Sequence, residues 1–197
     1  MRKEQLINEG WLFRYHDGTE TKVNIPHTWN NIDGQDGGND YWRGTCTYEK
    51  SFSAPSITEN ERLYLEFNGV NASARVVLNG EEVMKHDGGY STFRADITDH
   101  LKHINHLVVE VDNSVNDRVY PQKADFTFYG GIYRDVKLVT VNKYHFDLDF
   151  YGGRGLAVCP EVAGEDAAVW VRTWHNAGSD GVVDIILKDA DGHIVGR

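Results

Sequence analysis

The sequence predicts an all-β protein: one complete β-sandwich followed by the opening strands of a second. Three observations carry this. Short runs alternate apolar and polar residues, the period of a strand with one buried face. Asn-Gly and Asp-Gly pairs punctuate those runs where two-residue turns belong. The chain of 197 residues holds 20 Gly, 5 Trp, 10 Tyr and 8 Phe, a composition that favours strands, and helical periodicity is nearly absent.

The first strand is expected at Trp11. Residues 62–67 give the clearest strand, with Leu63, Leu65 and Phe67 on one face and Arg62, Tyr64 and Glu66 on the other. Residues 73–78 follow, with Ala74, Val76 and Leu78 inward, then Asn79-Gly80, then a return strand over 81–86. The Asn-Gly pair supplies the positive φ angles of a tight hairpin whose twist matches its strands. Further strands are predicted at 92–95, 106–112 and 135–140, and a short helical turn at 96–101 with Asp96 capping its amide groups. Residues 115–133 show no alternation but many aromatics, which marks a long functional loop rather than disorder.

The strand pattern restarts at 144–150, pauses at the Gly-rich turn of Gly152, Gly153 and Gly155, and continues over 167–175, 182–188 and, after Asp191-Gly192, 193–196. An immunoglobulin-like sandwich takes about seven strands and about 100 residues. The expected division is therefore a complete sandwich over residues 3–141 and the N-terminal part of an incomplete immunoglobulin-like sandwich over 142–197. Strand edges left open in the second part predict self-association, a homo-oligomer included.

The 20 Lys and Arg against 30 Asp and Glu give a net charge of −10. Phosphate backbones call for a cationic surface, so nucleic acid is not an expected partner. No apolar run approaches the roughly 20 residues of a membrane helix, so no membrane partner is expected either, and no signal peptide is visible at the N-terminus. The compartment stays open between cytoplasmic and periplasmic or extracellular. Cys46 and Cys159 lack zinc-site spacing and read as two buried, reduced thiols.

Several constellations bear on chemistry. Glycoside hydrolysis needs two carboxylates flanking the bond, and thirty acids show no privileged pair. Asn8-Glu9 matches a glycosidase acid/base dipeptide, but its place before the first strand makes a solvated charge the simpler reading. The loop over 33–44 has acids and glycines without the ligand order of an EF-hand, since the fifth position is Gly37. Asn71-Ala72-Ser73 fits the N-glycosylation pattern. The nine histidines show no metal-binding helical spacing. Aromatics interleaved with polar groups are more informative: Tyr41 and Trp42 beside Asp40 and Arg43, and Tyr120, Phe126, Phe128 and Tyr129 around Asp125. Sugar pockets combine apolar walls with a few polar groups. Most of these rings, Phe126 and Phe128 among them, are expected to be core. Asp125 among rings needs a partner, which a ligand, a metal ion or Arg134 would supply.

Five stretches, VNIPHTWN (23–30), YWRGTCTYEKSF (41–52), FNGVNASARVVLNG (67–80), GGYSTFRADITD (88–99) and ADFTFYGGIYRDV (124–136), occur in an order that resembles glycoside hydrolase family 2, in particular the N-terminal sugar-binding domain of bacterial β-galactosidases. The resemblance implies a jelly-roll sandwich of the galactose-binding-domain-like type, then an immunoglobulin-like sandwich, then a (β/α)8 barrel that bears both catalytic glutamates. It places no catalytic residue in this chain, which alone is expected to be inactive. The partners it implies are a β-galactoside or related glycan and the protein's own C-terminal catalytic barrel. It also implies that Asp125 reaches the sugar pocket and holds Na+ there, with Mg2+ elsewhere in the full-length enzyme. Asp40, Trp42 and Arg43 stand where the family has a further sugar contact, although its usual Asn has no clear counterpart. The implied activity is that of a retaining β-galactosidase. A β-glucuronidase or β-mannosidase on the same scaffold, or a stand-alone carbohydrate-binding module, are the alternatives.

Overall fold

The computed structural model describes residues 2–33, 42–120, 127–176, 178 and 181–197, the side chain of Tyr151 excepted. Ten strands form two antiparallel sheets. A six-stranded sheet has the order β3 (Glu20–Val23), β2 (Trp11–Arg14), β4 (Thr45–Ser53), β9 (Ile104–Asp112), β6 (Ser73–Leu78), β7 (Glu81–Asp87). A four-stranded sheet has the order β1 (Lys3–Leu6), β10 (Val136–Asn142), β5 (Glu61–Phe67), β8 (Phe93–Asp96). From β4 to β6, and again from β7 to β10, the chain crosses between the sheets at every connection, as the jelly-roll sandwich requires.

The alternation read from sequence is what fills the space between the sheets. Leu63, Leu65 and Phe67 of β5 and Val76 and Leu78 of β6 are fully buried, and Leu107, Val109 and Val111 of β9 meet them. Asn79 and Gly80 take φ of 55° and 91°, the paired positive angles of a type I′ turn. The helical turn falls at Thr98–His100, and Asp96 Oδ1 accepts the Thr98 amide at 3.0 Å.

Four expectations are corrected. The strand order opens not at Trp11 but at β1, a short exposed run without an apolar period that is held by pairing along β10. Residues 144–150 make only an isolated bridge, Phe146 to His175, before a helical turn at Phe150–Gly152. There Asp147 Oδ1 accepts the Asp149 amide at 2.7 Å, a local bond that turns the chain out of an extended path. Beyond it, β11 (Leu156–Ala163) pairs with β12 (Asp166–Thr173), and β13 (Leu187–Lys188) with β14 (Ile194–Gly196). The apolar residues of these hairpins stand exposed, Val162 at 77%, Trp170 at 65% and Ile194 at 62%. Cys159 lies on this uncovered hairpin and is exposed, whereas Cys46 is buried as expected, and burial pushes its thiol up to about 12. The glycosylation reading of Asn71 also fails, because the side chain is buried and its Nδ2 donates to the Tyr129 carbonyl at 2.8 Å. Among the described residues, no helix is long and apolar enough to cross a membrane.

Candidate sugar-facing loop cluster

The register of the six-stranded sheet brings the start of β4, the end of β9, the start of β6 and the end of β7 to one edge: Thr45 and Ser73 both pair with Asp112, and Ser73 with Asp87. The loops that leave this edge include those bearing the residues read as sugar contacts. Asp40 and Asp125 lie outside the described residues, as do Tyr41 and Phe126. Trp42, Arg43, Phe128 and Arg134 are described.

Two fully buried asparagines tie these loops together. Asn30 Oδ1 accepts the Gly130 amide at 2.7 Å and Asn113 Nδ2 at 3.2 Å, while Asn30 Nδ2 donates to Asp33 Oδ2 at 2.7 Å and to the Trp42 carbonyl at 2.8 Å. Asn113 Nδ2 also donates to the Phe128 carbonyl at 3.2 Å, and its Oδ1 accepts the Gly44 amide at 2.9 Å. Asp33 Oδ2 further accepts the Trp42 amide at 3.0 Å. Segments at 30–33, 42–44, 113 and 128–130 are thereby fixed to one another by side chains that can both donate and accept. Sequence reasoning missed both asparagines, which look like ordinary turn residues; their one signal is that two asparagines, not aspartates, flank the aromatic runs.

The network needs glycine at its centre. A Cβ on Gly130 would stand 2.1 Å from Trp29 Cζ2 and 2.7 Å from Asn113 Nδ2, and one on Gly131, whose φ is +132°, would stand 2.5 Å from the His27 carbonyl. Aromatic rings pack beneath it. One face of Trp42 is stacked on His16 at 4.1 Å, and Tyr15 and Trp29 lie against it at 5.2 and 6.1 Å. Arg43 Nε donates to the Asn113 carbonyl at 2.7 Å, with the guanidinium 5.8 Å from the Phe128 ring centre. Phe128 is core, as expected. His27 Nδ1 pairs with the Tyr48 hydroxyl at 2.8 Å, and burial holds the imidazole below its ordinary 6.5 and the phenol well above its ordinary range.

Of the described carboxylates at this edge, Asp33 Oδ2 accepts two donors, Asp112 Oδ1 accepts the Ser114 amide and hydroxyl, and Asp87 accepts from Ser73 and Arg118. Among the described residues, the group of three potential metal ligands is Asp189, Asp191 and His193, in an exposed hairpin turn remote in sequence from this edge. Its Asp189 Oδ1 already accepts the Asp191 and His193 amides at 3.0 and 2.8 Å. A cavity of about 880 Å³ lies away from this edge; Val141, Tyr144, Phe146, Leu148, Leu156 and Val182 give it apolar walls.

An antiparallel two-sheet sandwich whose loops gather aromatics and polar side chains at one edge defines a carbohydrate-recognition type of domain. Its sequence makes the assignment specific: the profile of the glycosyl hydrolases family 2 sugar binding domain matches residues 7–142, and the chain belongs to that family. It is 34% identical to a β-glucuronidase of Bacteroides fragilis over 97% of this chain and 28% of that protein. It is 30% identical to a β-galactosidase of Thermoanaerobacter pseudethanolicus over 71% of this chain and 19% of that protein. The crystal structure of an FMN-binding β-glucuronidase from Faecalibacterium prausnitzii L2-6 superimposes with a TM-score of 0.84 at 41% identity, covering 89% of this chain and 28% of that one. The chain thus spans less than a third of each of these relatives.

Proposed function

We propose that this chain is the N-terminal, sugar-positioning part of a glycoside hydrolase that releases terminal β-linked sugars, with glucuronosides preferred over galactosides. The observation that carries the reading is the 41% identity to a β-glucuronidase over 89% of the chain. The preference for a glucuronoside departs from the β-galactosidase that the resemblance implied; galactosides remain the second reading because the Thermoanaerobacter relative is a β-galactosidase.

In this reading the asparagine-held frame fixes Trp42 and Arg43 at the substrate-facing edge. Asp40 and Asp125 then orient sugar hydroxyls, flanked by Trp42 and Arg43. Such contacts contribute by positioning, since a misplaced substrate loses rate without any change in the reacting groups. The bond-breaking carboxylates come from the catalytic barrel of the same polypeptide.

The test is the full-length protein on aryl β-glucuronide, β-galactoside and β-mannoside. The highest kcat/KM is expected on the glucuronide; activity confined to the galactoside would establish the second reading, and no hydrolysis of any would overturn both. Asp125→Asn is expected to lower kcat/KM on the preferred substrate, and an unchanged value would remove Asp125 from the pocket.

A further inference from the structure

The outward face of β5 is not solvated as simple alternation suggests. Glu66 is only 3% exposed, because Lys137 of β10 and Arg94 of β8 are its direct cross-strand neighbours. Arg94 Nε binds Glu66 Oε2 at 2.6 Å, Arg2 reaches the same oxygen at 3.2 Å, and Lys137 Nζ lies 3.7 Å from the other. Glu4 receives Arg2 at 2.8 Å and Lys137 at 3.1 Å, and the Lys137 hydrogen bond, chief among several causes, holds its carboxyl below the ordinary 4.5. Three cations therefore share two carboxylates. Arg94 also donates to the carbonyls of Leu148 and Gly152, which clasps the helical turn over the sheet.

These five side chains wall a cavity of about 410 Å³, completed by Arg134, Arg154, Asn68 and Thr92. Arg134 and Arg154 are exposed, and among the described residues neither has a carboxylate within ion-pairing distance. Five cations against two carboxylates leave three formal positive charges facing one cavity, in a chain whose net charge is −10. Charges of one sign gathered in a cleft focus the field there and concentrate counter-ions against the net charge of the molecule. Guanidinium forks match the paired oxygens of phosphate. The volume is in the range of small-ligand pockets, about 300–1,000 Å³.

We infer that this cavity binds a phosphoryl dianion, as free phosphate or as the phosphate of a small ester. A dianion neutralises two of the three excess charges, where a carboxylate neutralises one. Arg134 and Arg154 supply the adjustable contacts at the rim, and the Glu66-anchored Arg94 and Lys137 supply the fixed floor.

The test is a 1H–15N NMR titration of the whole chain at low ionic strength with inorganic phosphate, with glucose 6-phosphate to represent an ester and glucuronate to represent a monoanion. Saturable shifts are expected at the amides of Gly152, Gly153 and Asn68, with a dissociation constant of about 1 mM or tighter for one of the phosphates. Tighter binding of glucose 6-phosphate than of phosphate assigns the ester, and the reverse assigns the free ion. The double variant Arg134→Gln, Arg154→Gln is expected to weaken binding roughly tenfold or more while its melting temperature stays unchanged. Three results would each overturn the inference: no saturation by about 10 mM, equal affinity in the double variant, or glucuronate binding as tightly as either phosphate. If the double variant fails to fold, the single variants and the glucuronate comparison on the unaltered chain still decide.

Discussion

Asn30→Ala tests whether the loop frame is held by the asparagine pair. The substitution deletes an acceptor used by Gly130 and Asn113 and a donor used by Asp33 and Trp42. Asn113 keeps the Phe128 carbonyl, and the half-buried Asp33 and Trp42 can turn to water, so their losses are partial. Gly130 is buried and its amide loses its acceptor, a cost of about 1–3 kcal/mol, and the other bonds add about 0.5–1.5 kcal/mol each in net terms. A total near 3 kcal/mol corresponds to a drop in Tm of about 6–12 °C for a chain of this size. The assay is thermal and urea unfolding followed by circular dichroism. Asn30→Asp sharpens it: the acceptor for Gly130 stays, but a second carboxylate faces Asp33. Its destabilisation is expected to be large at pH 7 and to shrink as the pH falls towards about 4, where the pair can share a proton. A loss below about 1 kcal/mol in Asn30→Ala, or a pH-independent Asn30→Asp, would refute the frame.

Three further predictions concern the rest of the molecule. Arg94→Met removes the principal partner of buried Glu66 and the clasp on Leu148 and Gly152; a loss of about 3 kcal/mol or more is expected, with faster amide exchange over 145–154. Gly130→Ala forces its Cβ against Trp29 and Asn113 and is expected to destabilise by about 2–3 kcal/mol in urea unfolding. Burial holds both His27 and His86 below their ordinary 6.5, so the unfolded chain takes up protons first. Their contribution to stability is therefore full above pH 6.5 and is lost as the pH falls through it to the folded values, which urea midpoints at pH 8 and 5.5 will show and which His27→Gln will reduce.

The legible parts of the sequence were those where one local rule decides. Alternation in β5, β6 and β9 placed the core because each strand has one dry face, and Asn79-Gly80 fixed its hairpin because few other pairs take two positive φ angles. β1 was illegible because it has no buried face and exists through its hydrogen bonds to β10. β11 was hidden for a different reason: Pro160 and a run of exposed residues carry no strand signal, although Pro160 pairs with Val169. The 144–150 segment carried a strand-like pattern, but Arg94, 54 residues before Leu148, decides its path by taking the Leu148 carbonyl.

The same contrast separates the two ways this sandwich spends polar residues. At the loop edge, neutral amides are buried, and neutrality matters: Asn30 and Asn113 each offer a donor and an acceptor, so four backbone groups of the 42–44 and 128–130 segments are satisfied without placing a charge in the interior. On the outer face of the four-stranded sheet, charge itself is buried, and Glu66 is tolerable only because three cations surround it. Those cations exceed the carboxylates available to them, so that face attracts an anion. Sequence reading found the aromatic loops because rings beside acids are conspicuous within a dozen residues. It did not bring Arg2, Glu66, Arg94, Arg134, Lys137 and Arg154 together, because their meeting depends on strand register across β1, β10, β5 and β8 and on the turn at 150–152, none of which any short stretch of chain encodes.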